Sequence, residues 1–254
     1  MEYKNNYPVV IVHGLMGWGE QDLIDKKFPH FGLTHEKDLC KHLRDEGIEV
    51  YRPSLGPVNS GWDRACVLWA YLFGGRVDYG KVHSQKYGHA RYGREYPGVL
   101  KDLGQEGPHK KINIFGHSFG GPSIKEICAL FVYGSEEERN GTDPDDLSPL
   151  FEGGKVKWIH SCTTLAGTHN GVTLPEQIAR AVKPLTFAIF SLGPLTSGTW
   201  FSKVYGFHLD RFGLSSQTKH VGYDPTLVLH YVNLKEDNIH WELSREGAAE
   251  LTKD

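Results

Sequence analysis

The sequence predicts an α/β fold with a mostly parallel sheet, and three observations carry that prediction. Residues 111–122 read KINIFGHSFGGP, a β-branched run entering Gly116-His117-Ser118-Phe119-Gly120 and leaving through Pro122 into a helical pattern. Residues 8–13, PVVIVH, form an unbroken apolar run of the kind a strand buried on both faces requires. Strand-like and helix-like stretches then alternate along the chain, the order that builds a parallel sheet covered by helices.

Taken in order, strands are expected at 8–13, 48–52, 111–116 and 156–165, with a weaker candidate at 226–233. Helices are expected near 36–46, 60–73 and 122–133. In the last of these, Ile124, Ile127, Cys128 and Phe131 recur at i, i+3, i+4 and i+7 and define one apolar face. Residues 74–98, rich in Gly, Tyr, His and Arg, show no periodicity and read as a long insertion. The charge run Glu136-Glu137-Glu138-Arg139 reads as a solvated face. The apolar stretch within 172–201, broken by Pro184 and Pro194, fits either buried core or a movable lid.

The strand, G-x-S-x-G, helix order is the context of a nucleophile elbow, a turn that holds a serine hydroxyl at the top of the sheet. With 30 glycines in the chain the five-letter pattern arises easily by chance, so the flanking strand and helix carry the reading. His117, adjacent to the serine, reads as a packed residue of the elbow rather than a general base. A serine attacking an ester carbonyl needs two backbone N–H groups aimed at the developing oxyanion. Leu15, in the loop after His13-Gly14, and Phe119, directly after Ser118, are the expected donors. The alternative for residues 8–19 is an ordinary core strand with a glycine-rich turn.

Composition narrows the classes. A chain of 254 residues accommodates one domain, with or without an inserted subdomain. A formal net charge of −3 gives no basic surface for nucleic acid. No apolar stretch has transmembrane length, and no signal peptide is expected at the start. Cys40, Cys66, Cys128 and Cys162 are widely spaced in apolar segments and read as core thiols. Fourteen histidines make metal binding worth weighing. Asp63, His83 and His89 are the right types for zinc. Each has a competing reading: Asp63 sits three residues after Ser60 as in a capping box, and the two histidines fall in a polar loop.

Six segments together resemble the zinc-containing thermoalkalophilic lipases, relatives of the staphylococcal lipases in the α/β-hydrolase superfamily. They are HGLMGWG (13–19), GPVNSGWDRAC (56–66), FGGRVDYGKVHSQKYGHARYGREYPG (73–98), GHSFGG (116–121), GSEEER (134–139) and LSPLFEGG (147–154). The resemblance implies an α/β-hydrolase fold acting as a carboxylic ester hydrolase on acyl esters or triglycerides at a lipid–water interface. It matches Ser118 to the nucleophile and Leu15 and Phe119 to the oxyanion positions, although the family usually carries a polar residue where Phe119 stands. Asp63, His83, His89 and Asp237 match the four ligands of a structural zinc. Residues 56–98 correspond to a zinc-binding insertion and 172–215 to the lid. The family's triad acid and histidine, and its calcium site, fall beyond the segment matching Leu243–Leu251, so this chain is expected to be an incomplete single domain without them. Secretion is the family's location; the chain's own features otherwise suit the cytoplasm. Two alternatives stay open: a non-catalytic lipase-like protein that binds lipid or a partner, and a short esterase using Asp210 and His240.

Overall fold

The computed structural model describes residues 7–172, 188, 199–209 and 237–250. Among the described residues, four strands form one parallel sheet in the order β2-β1-β5-β6. These are β1 (Val9–Val12), β2 (Val50–Tyr51), β5 (Ile112–His117) and β6 (Ile159–Leu165). The four expected strands are present, three of them shortened and the 111–116 strand shifted by one residue to 112–117. The first three residues of the 156–165 candidate are instead a 3₁₀ turn, Val156–Trp158. The candidate at 226–233 lies outside the described residues, as does the 172–215 lid apart from residues 172, 188 and 199–209.

Three helices match the sequence pattern: α1 (Leu39–Asp45), α2 (Gly61–Phe73) and α4 (Gly120–Tyr133). α2 and α4 lie against each other and against the sheet. Ala65, Leu68 and Leu72 of α2 and Ile124, Ile127 and Phe131 of α4 join Val10, Val12, Ile112 and Ile114 in one core. The i, i+3, i+4 spacing of those side chains explains why both segments are helical: only a helix brings them onto one face.

The 74–98 insertion has structure that its sequence hid. It folds into β3 (Gly75–Asp78), α3 (Lys81–Tyr87) and β4 (Tyr92–Tyr96), with β3 and β4 antiparallel. Arg91 holds it to the neighbouring loop, donating from Nε and Nη2 to Asp78 at 2.9 Å each and from Nη1 to Asp146.

Two expectations need correction. The run Glu136–Arg139 is a solvated face only in part: in α5 (Glu136–Gly141) Glu136, Glu137 and Arg139 are exposed, while Glu138 is 1% exposed. Helical geometry turns one residue of the run inward, where its carboxylate accepts from Val82 N and His83 N at the start of α3. The cysteines are not all core thiols either. Cys40 and Cys66 are buried, Cys128 is half-buried, and Cys162 is exposed because β6 is the edge strand of the described sheet.

Candidate active site and metal centre

Ser118 stands between the end of β5 and the start of α4 with φ of +56°, the left-handed conformation that non-glycine residues rarely adopt. Two glycines make that turn possible. A methyl on Gly116 would lie 2.3 Å from Gly120 O, and one on Gly120 would lie 2.4 Å from Val12 O. Any side chain at either place would force strand, turn and helix apart. The turn is fixed further by Ser118 N donating to Leu165 O and Gly121 N donating to Ser118 O, both at 2.9 Å. Strain held this way, at the carboxyl ends of parallel strands, is characteristic of a functional turn.

The loop after β1 meets this elbow. A methyl on Gly14 would sit 2.9 Å from Ser118 Cβ and 3.2 Å from Ser118 Oγ, so the loop passes directly over the serine. His13 anchors it from below. Its Nε2 accepts from Leu55 N at 3.1 Å, so the proton is on Nδ1, which donates to Gly14 O at 2.9 Å. Burial, reinforced by Arg64, keeps that imidazole neutral by lowering its pKa well below the usual value. Met16 N donates to Pro57 O, with Met16 at φ of +56°. Among the described residues the N–H groups of Leu15 and Phe119 meet no acceptor, as oxyanion donors require. The Phe119 side chain is fully buried, so the departure from a polar residue leaves its backbone N–H in place.

No histidine among the described residues hydrogen-bonds Ser118. His169 Nε2 lies 3.2 Å from Thr164 Oγ1, and His117 packs edge-on to Phe31. Asp210 and the His240 side chain lie outside the described residues.

A second cluster lies at the N-terminal end of α2. Asp63, His83, His89 and Asp237 each present a ligand-type atom, and these atoms are all within 4.8 Å of one another. Asp63 comes from the first turn of α2, His83 from α3, His89 from the loop after it, and Asp237 from the segment before the helix Ile239–Leu243. His83 Nε2 is 3.4 Å from Asp237 Oδ1, and His89 Nε2 is 3.5 Å from Asp237 Oδ2. Those separations are long for hydrogen bonds and match ligand atoms spaced around a tetrahedral ion. His83 Nε2 is buried and makes no hydrogen bond. Two acids and two imidazoles, withdrawn from solvent, form a group able to hold a metal ion.

The supports of this cluster were not foreseen. Ser60 accepts from Asp63 N as the N-cap of α2 and donates to Asp237 Oδ1 at 2.7 Å. The capping box is therefore half used: the hydroxyl caps the helix, while Asp63 turns to the metal cluster. Trp62 stacks on His83 at 4.7 Å and on Phe151 at 5.2 Å, fixing the imidazole plane. Glu242 accepts from Gly61 N at 2.8 and 3.0 Å, docking the 237–250 segment on the N-terminus of α2. The Ser135-x-x-Glu138 spacing was the one sequence signal for a helix start at α5, and Ser135 does cap it.

Comparison with known proteins agrees with this architecture. The family described as "Lipase-like, C-terminal domain" matches residues 5–254. Lipase 1 of Staphylococcus aureus (strain MRSA252) is 34% identical over 256 residues, 99% of this chain and 37% of that protein. Among solved structures, EstA from Clostridium botulinum superimposes with a TM-score of 0.78 at 40% identity, over 97% of this chain and 56% of EstA. Staphylococcus hyicus lipase gives 0.80 at 31% identity, over 98% of this chain and 63% of that one. The chain thus spans about a third of the length of the curated relative it matches. It belongs to the family of lipase-like C-terminal domains, related to the staphylococcal lipases.

Proposed function

We propose that this chain is the elbow-bearing part of a serine carboxylic ester hydrolase of the lipase type. Ser118 Oγ attacks the acyl carbonyl, and the N–H groups of Leu15 and Phe119 receive the oxyanion. The single observation that carries the reading is the Ser118 turn at φ +56°, flanked by glycines that tolerate no side chain and roofed by the Gly14 loop. The histidine that takes the serine proton, and the acid that orients it, come from outside the described residues. An acyl ester at a lipid–water interface is the substrate. The exposed Trp200 and Phe201, in the part of the candidate lid that is described, support contact with such an interface. Zinc is the metal proposed for the Asp63, His83, His89 and Asp237 group, where four protein ligands leave no open position. It would supply a cross-link rather than chemistry at the ester.

The test is hydrolysis of p-nitrophenyl butyrate by the natural polypeptide that carries this sequence, beside its Ser118→Ala variant. The expected result is a loss in kcat of about 10³-fold or more with the fold intact. Unchanged hydrolysis in Ser118→Ala would overturn the assignment.

A further inference from the structure

Arg64 is the largest fully buried side chain among the described residues, and neither the elbow nor the metal cluster accounts for it. An arginine has no place in an apolar helix face on packing grounds alone. Leu or Met would fill the volume without the cost of desolvating a charge.

Its contacts are specific. Nη2 donates to the His13 carbonyl oxygen. The guanidinium carbon stands 5.4 Å from the centre of the Phe119 ring, within cation–π range. The first contact holds the loop that carries the Leu15 N–H. The second holds the residue whose own N–H follows the nucleophile. The same carbonyl would lie 3.1 Å from a methyl on Gly120, so the guanidinium reaches the seam where loop and elbow touch. Beyond Leu15 the loop is held by Met16 N donating to Pro57 O, and on the near side the guanidinium holds it at His13.

We propose that Arg64 is a positioning residue for the oxyanion hole. It ties the Leu15 loop and the Phe119 turn into one rigid unit, so that two backbone N–H groups converge on one oxygen. The inference rests on the serine hydrolase reading above. Preorganised donors act on charge that develops in the transition state, so loosening them lowers kcat and leaves KM in place. A charge-assisted bond to a carbonyl is also about twice as strong as a neutral one, which is why arginine serves where an apolar residue would only pack. Because Arg64 follows Asp63 on α2, the helix that holds the metal cluster also holds the oxyanion loop.

The experiment compares p-nitrophenyl butyrate hydrolysis by the natural polypeptide and its Arg64→Lys, Arg64→Met and Ser118→Ala variants, with thermal unfolding of each. Arg64→Met is expected to lose about 100-fold in kcat with KM within threefold. Arg64→Lys, which keeps one donor and the charge, is expected to lose about tenfold. A folded Arg64→Met with at least half the wild-type kcat overturns the inference, as does a loss confined to KM. Should Arg64→Met fail to fold, Arg64→Lys decides: lowered kcat at constant KM supports the role, and wild-type kcat overturns it. Hydrolysis that survives Ser118→Ala removes the hydrolase reading and this inference together. Hydrolysis that depends on Ser118 but ignores Arg64 removes the inference alone.

Discussion

His30 sits edge-on against Trp18 at 4.7 Å and Phe31 at 4.8 Å, with its Nδ1 buried and unbonded. Burial first, then His117, Arg52 and Arg64, pull its pKa from 6.5 to about 4. The folded protein therefore keeps this ring neutral between those values, while the unfolded chain protonates it. Its contribution to stability is complete above pH 6.5 and is lost as pH falls toward 4. Replacing it with Phe removes that proton uptake. Relative to wild type, His30→Phe should gain about 1.8 kcal/mol between pH 7 and pH 5, read by urea unfolding at both values. An unchanged difference would place the ring in water. Single residues also divide what was legible in the sequence from what was not. The turn around Ser118 could be picked out because it demands glycines at fixed offsets, and glycines are visible as letters. Arg64 could not, since nothing in WDRAC says which side of the helix its charge faces.

Among the elements, α2 and α4 were readable because their apolar spacing runs for 13 and 14 residues. The insertion was not, because its strands are four and five residues long and its helix seven, too short for a period to register. Its order comes from tertiary contacts instead, and Glu138 is the clearest of them. The carboxylate reaches from α5 to accept Val82 N and His83 N at 3.2 and 2.7 Å and Thr142 Oγ1 at 3.1 Å. Gly80 permits the approach, as a methyl there would lie 2.3 Å from Glu138 Oε1. Removing such a charged acceptor strands buried donors at a cost of about 1–3 kcal/mol. It also frees the helix that presents His83. Glu138→Ala is expected to lower stability by about 2 kcal/mol and to weaken zinc affinity by roughly tenfold or more, followed by competition with a chromophoric chelator. Glu138→Gln, which keeps one acceptor oxygen, should lose less of both. Equal zinc affinity in all three would separate α5 from the metal cluster.

Across the whole molecule, the four proposed metal ligands come from α2, from the insertion that directly follows it and, far along the chain, from the 237–250 segment. Without a cation, Asp63 and Asp237 place two negative charges side by side in a buried space, an arrangement that burial alone disfavours. An ion there neutralises them and pins all three segments to one point. Its binding energy then adds directly to folding, because the unfolded chain has no such site. With free zinc at 100 times the dissociation constant, the gain is about 2.7 kcal/mol. For a chain of this size that corresponds to a rise in Tm of roughly 5–10 °C over the chelator-treated protein. Asp237→Asn should abolish the zinc-dependent rise. Ser60→Ala, which loses the helix cap and the hydrogen bond to Asp237 but no ligand, should lower both curves by about 1 kcal/mol and keep the gap between them. The pair of variants matters because either change alone destabilises this corner. Only a metal cross-link predicts that one erases the gap while the other leaves it standing, and a gap that survives Asp237→Asn would show that zinc acts elsewhere.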